Sequence, residues 1–132
     1  MNADVVIGVQ TRLLAHPGPQ WLSVLSWSAS SPLSVTLTMP AEGTAPVVWT
    51  FARDLLTDGL VDLAGCGDVR VFPAGSSRWI ILHLSSDDGT VHLEMSRAQV
   101  LAFLHDSHRL VPRGEETVDV DTGLADLFEG ES

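Results

Sequence analysis

The residues able to do chemistry fall into a few small groups. His83 and His92 stand on two consecutive strand-patterned segments, on the side away from the apolar residues, where paired imidazoles could clamp a divalent metal. A four-residue hairpin loop places them directly opposite one another, whereas a two-residue loop sets His83 against Glu94. No third or fourth ligand accompanies them, so they read as exposed strand histidines, and His105 and His108, three apart on a helix face, read the same way. Cys66 lies between Gly65 and Gly67 with no histidine fixed beside it to act as a base, which makes it an unreactive free thiol. Asp87-Asp88-Gly89 resembles a fragment of a calcium loop but lacks the later acidic ligands, so it is a turn. Gly65-Cys66-Gly67 is too short for a dinucleotide fingerprint and precedes a strand rather than a helix. Trp21, Trp27, Trp49 and Trp79 could stack nucleic-acid bases, or serve as core and interface anchors. No catalytic triad, carboxylate pair or phosphate cradle emerges, so neither an enzyme nor a cofactor or metal is expected.

Composition narrows the classes further. The chain of 132 residues has seven arginines, no lysine and seventeen acids, for a net charge of −10. Phosphate binding rests on clustered basic residues, so nucleic acid is not the expected partner, and an anionic membrane surface is equally disfavoured. A single cysteine cannot form an intrachain bridge, which suits a reducing compartment. Without a basic-then-apolar leader or an apolar run near ~20 residues, a cytoplasmic location without membrane insertion is expected. A chain of this length makes one domain with a core large enough to need no staple.

The elements that must position these groups follow from periodicity. Val5–Leu13 and Trp21–Trp27 read as strands, as do residues 33–39, 47–51 and 69–72. Residues 78–85 and 90–95 form a hairpin that keeps Ile80, Leu82 and Leu84 on one face with Val91, Leu93 and Met95. A short helix over 53–58 is locally weak: Arg53 and Asp58 sit at the wrong ends for the macrodipole, and Asp54 repels Asp58. Tertiary contacts must therefore hold it, and Arg53 should find a buried or intersubunit carboxylate or carbonyl. Gly59 fits a left-handed stop after this helix. Ser96 and Gln99 open a helix through about 108 as a capping box, with an apolar surface (Ala98, Val100, Leu101, Phe103, Leu104) wider than a sheet requires. The pattern is α+β: about seven antiparallel strands with two or three helices, a single domain over 1–111. Residues 112–132 carry seven acids and read as an acidic linker and amphipathic helix bearing Leu124, Leu127 and Phe128.

The central stretch carries a more specific message. Trp49-Thr50-Phe51-Ala52-Arg53-Asp54-Leu55-Leu56, then Gly59-Leu60, then Gly67-Asp68-Val69-Arg70-Val71-Phe72-Pro73, resembles the signature of the SsgA-like sporulation and cell-division proteins of filamentous actinomycetes. The resemblance runs from the first strands through the helix that opens at Ser96. It implies a Whirly-like fold, a trimer, and a non-enzymatic role at the division septum: positioning septa and recruiting or organising the tubulin-like protein FtsZ, alongside SsgA-like paralogues. The Whirly scaffold also occurs in single-strand nucleic-acid binders, which is the alternative function; the acidic charge departs from those proteins. The signature residues Trp49, Phe51, Arg53, Asp54, Gly59, Gly67, Asp68, Arg70 and Pro73 are expected to be structural. FtsZ is itself acidic, so contact must come from a local apolar or arginine-bearing patch, and Val100, Phe103, Leu104, Leu124, Leu127 and Phe128 are the candidates.

Overall fold

The computed structural model describes residues 3–15, 18–41 and 43–117. The elements run β1 (Val5–Leu13), β2 (Trp21–Trp27), β3 (Ser34–Met39), β4 (Val47–Ala52), α1 (Arg53–Gly59), β5 (Val69–Pro73), β6 (Trp79–Ser86), β7 (Gly89–Ser96) and α2 (Arg97–Leu110). The strands form one antiparallel sheet in the order β4-β3-β2-β1-β7-β6-β5. Two meanders, β1–β4 and β5–β7, thus join through the β1–β7 pairing.

Period-two alternation decides which side is filled. Val5, Val9, Leu25, Trp27, Val35, Leu37, Phe51, Val71, Ile80, Leu82, Leu93 and Met95 all point to one face and form the core. The sheet curls around that face, since Met39 and Trp49 of β3 and β4 line a common cavity with Leu84 of β6 and Val91 of β7. Helix α2 packs into the hollow through Val100, Phe103 and Leu104, each almost fully buried. Burying each such side chain contributes roughly 2 kcal/mol. These three residues are therefore core and not a partner-facing patch, because the curled sheet takes up more of the helix than a flat one would. The large apolar residues of α2 that stay exposed are Leu101 and Leu110.

The start of α2 is half a capping box. Ser96 Oγ accepts from the Gln99 amide at 3.3 Å, but the Gln99 side chain turns away and its Oε1 accepts from the Gln10 amide of β1 at 2.6 Å. The second half of the motif is spent on fastening the helix to the sheet.

The β6–β7 loop has two residues, Asp87 and Asp88, yet it brings His83 opposite His92, the pairing expected only of a four-residue loop. Both loops share this register because Ser86 and Gly89 simply close as a last pair. Leu124, Leu127 and Phe128 lie outside the described residues.

Candidate functional site

The central stretch builds a joint between the two free edges of the sheet. Strand β4 runs directly into α1, whose first amide, that of Arg53, still donates to the Leu33 carbonyl at 2.8 Å. The helix then crosses to β5, where Gly59 lies against Val71. Gly59 does not take up the left-handed conformation expected of it; among the described glycines only Gly43, Gly65, Gly89 and Gly114 have positive φ. Its reason is close approach: a Cβ there would fall 2.3 Å from Val71 Cγ1. Gly65 is the conformational glycine of this stretch, at φ +90°.

Arg53 is the centre of the joint and is 1 % exposed. Its Nη2 donates to Glu116 Oε1 at 2.8 Å, its Nη1 to Ser107 Oγ at 3.3 Å, and the guanidinium lies 5.2 Å from the Trp27 ring centroid. Ser107 in turn donates to the Leu104 carbonyl, so β2, α1, α2 and the segment after α2 meet at one side chain. The hydrogen bond from Arg53 holds the Glu116 carboxyl below its ordinary value. Arg113 answers the charge conflict of α1. It contacts Asp58 at 2.6 Å and Asp54 at 3.3 Å, so one cation bridges the two acids that would otherwise repel. The same hydrogen bond lowers the Asp58 carboxyl. Residues 112–117 are thus tied to the domain rather than a free linker.

Glu116 and Arg113 were beyond the reach of sequence patterns. Seven acids crowd residues 112–132, and nothing in their spacing marks the one that meets Arg53. Beside this joint His108 is pushed down, first by burial and then by the Arg53 charge.

The remaining signature residues have local duties. Phe51 is core, Asp68 supplies the carbonyl that accepts from the Ser85 amide, and Pro73 closes the β5–β6 pairing opposite Ile80. Gly67 accepts from Arg70 Nε through its carbonyl at 3.3 Å. Trp49 is half-buried on the concave face and, with Trp21, flanks Met39 at the open mouth of the curl, a cavity of about 430 Å³. Trp27 is buried and donates to the Pro32 carbonyl at 2.9 Å. Trp79 lies on the outer face beneath Arg12, which pairs with Glu94 at 3.1 Å. The four tryptophans therefore sit at three separate places and do not form one stacking platform.

The outer face holds the histidine pair. His83 Nδ1 and His92 Nε2 share a hydrogen bond of 2.9 Å, and the rings meet edge to face. Burial, His92 and Arg70, in that order, push the His83 imidazole down. Among the described residues no group of three or more histidine, cysteine or acidic side chains comes together to hold a metal ion. Cys66 is exposed. No described helix is long and apolar enough to cross a membrane.

Comparison with known proteins matches this architecture to one group. Residues 22–116 match the family described as Streptomyces sporulation and cell division protein, SsgA. The sporulation-specific cell division protein SsgB of Salinispora tropica is 39% identical over 134 residues, covering 94% of each chain. That of Frankia casuarinae is 39% identical over 112 residues, covering 82% of this chain and 78% of its own. A solved structure of SsgB, reported with mutations that correlate to longitudinal cell division during sporulation of Streptomyces coelicolor, superposes with a TM-score of 0.76 at 32% identity, covering 85% of this chain and 91% of its own. A solved SsgA-like sporulation-specific cell division protein of Thermobifida fusca superposes with a TM-score of 0.76 at 30% identity over 96% and 98%. With a seven-stranded antiparallel sheet and two helices among its described residues, and with the signature joint, the chain belongs to the SsgA-like family of sporulation and cell-division proteins.

Proposed function

We propose that this protein is a non-enzymatic regulator of sporulation-specific cell division that acts by protein–protein interaction, positioning septa and recruiting or organising FtsZ. The observation that carries the reading is the near end-to-end likeness to SsgB: a relative covering 94% of both chains bears the name sporulation-specific cell division protein. The chemistry of the signature stretch agrees, since Arg53, Asp54 and Gly59 are engaged in holding the fold. Self-association as a trimer belongs to the same reading and would offer an acidic partner several weak contacts at once. Val6 and Leu22, exposed on the outer face of β1 and β2, supply apolar surface for it.

The test is a fluorescent fusion in a sporulating actinomycete host. The proposal expects ladders of foci coincident with nascent septa, appearing no later than FtsZ ladders. Diffuse signal throughout septation in a functional fusion contradicts it. The mass of the purified chain by light scattering tests the trimer separately.

A further inference from the structure

We infer that the outer face of β5–β7 is a docking site for an acidic segment of a partner protein that carries an apolar side chain next to its carboxylate. The inference rests on the division-protein reading above and names the surface it would use.

Pairing sets three side chains in a row. Arg70 of β5 lies opposite His83 of β6, and His83 opposite His92 of β7. Residues directly opposite on one face lie about 5 Å apart at Cβ, so guanidinium and imidazoles make a continuous strip. The strip borders a cavity of about 500 Å³ whose apolar walls are Leu63, Phe72 and Pro73. Leu63 is 60% exposed and ready to be covered.

Charge selects the occupant. In a chain of net charge −10, Arg12, Arg53 and Arg113 are already matched to carboxylates. Arg70 is exposed, and its Nε donates to the Gly67 carbonyl at 3.3 Å. That bond orients the side chain and leaves the terminal fork for a carboxylate. Arg78 and Arg109 are exposed as well, but neither borders this cavity with its apolar walls and imidazoles. A single guanidinium beside apolar walls suits one carboxylate with an apolar neighbour, not a polyanion.

The imidazoles tune the site. At neutral pH the His83–His92 bond has one ring donating and the other accepting. Protonation of either adds positive charge beside Arg70. The other charged groups near the strip are Asp62 at the cavity rim, Asp68 immediately before β5, and the Arg12–Glu94 pair in the next row, which is already neutralised. Binding of an acidic segment should therefore tighten as pH falls through the histidine range.

The experiment uses the full chain and a fluorescein-labelled peptide, Asp-Leu-Asp-Phe-Asp, read by anisotropy. The expected result is saturable binding weakened at least about tenfold by Arg70→Glu, the size of a lost charge-assisted bond, and less than about twofold by Arg78→Glu. Lowering the pH from about 8 to about 5.5 should tighten binding severalfold in the natural chain and not in the His83→Gln/His92→Gln variant. Equal weakening by Arg70→Glu and Arg78→Glu overturns the site, as does displacement of the peptide by a single-stranded oligonucleotide at low salt. Co-sedimentation with FtsZ separates this inference from the reading it rests on. If Arg70→Glu pellets with FtsZ as fully as the natural chain, the site is wrong and the division role stands. If the peptide results hold while the natural chain fails to pellet, the site stands and FtsZ is not its partner.

Discussion

Replacing Gly59 by alanine should destabilise the fold by about 2 kcal/mol, and the magnitude follows from the joint. The added Cβ would lie 2.3 Å from Val71 Cγ1, 2.5 Å from its Cβ and 3.0 Å from its carbonyl carbon. Carbon pairs settle at about 3.5–4.0 Å, so α1 and β5 must separate by more than about 1 Å. Neither can yield cheaply: β5 pairs with β6 throughout its length, and Val71 is fully buried. Overpacking of this kind costs about 3 kcal/mol at the upper end, from which the better helix propensity of alanine recovers about 1. Urea unfolding read by near-UV circular dichroism, with an unchanged m-value, measures the difference. The Val71→Gly background isolates the cause. Removing Cβ and the γ-methyls together relieves the contacts at 2.3 and 2.5 Å, so the double variant should fall short of the sum of the single ones by at least about 1 kcal/mol. A left-handed requirement at Gly59 would give full additivity instead. A Gly59→Ala protein as stable as the natural one, or strict additivity with Val71→Gly, refutes the close-approach account.

Three further outcomes follow from the same geometry. Arg53→Met keeps the aliphatic stem beside Trp27 but removes the bonds to Glu116 and Ser107, and should cost about 3 kcal/mol by urea unfolding; Glu116→Gln, which keeps an acceptor, should cost less. Ser96→Ala should cost about 1 kcal/mol through loss of the α2 cap, seen in the urea midpoint. Stability should fall with pH in two stages, followed by thermal unfolding. His83 and His108 sit below their ordinary 6.5 when folded, so the unfolded chain takes up protons first and stability declines as pH drops below that value. Glu116 and Asp58 sit below 4.5 and 3.8, so their contribution is full above those values and is lost as pH falls through the folded ones. A His83→Gln/His108→Gln variant should lose the upper stage and keep the lower.

Strands were legible wherever one face is buried, as in β1, where Val5, Val9 and Thr11 alternate with Val6, Gly8 and Gln10. Helix α2 was legible from its Ser96 cap, and the need of Arg53 for a partner from its misfit with the helix dipole. The partner itself was not, because Glu116 lies 63 residues away and only the fold brings it close. The close approach at Gly59 was hidden for the same reason: a glycine after a helix signals a turn locally, whereas Val71 is a tertiary neighbour. The apolar breadth of α2 suggested a second interface until the curl of the sheet accounted for Val100, Phe103 and Leu104. Hairpin register fixed the row of Arg70, His83 and His92, and the sequence left two registers open.

The division role is tested most directly by pelleting purified full-length chain with FtsZ polymers assembled in GTP. The account predicts that the chain stays in the supernatant alone, enters the pellet with polymers in a saturable manner, and is released when the polymers are disassembled by GDP. Retention in the supernatant at every FtsZ concentration, together with retardation of a single-stranded oligonucleotide at low salt, would contradict it and favour a nucleic-acid binder on the same scaffold.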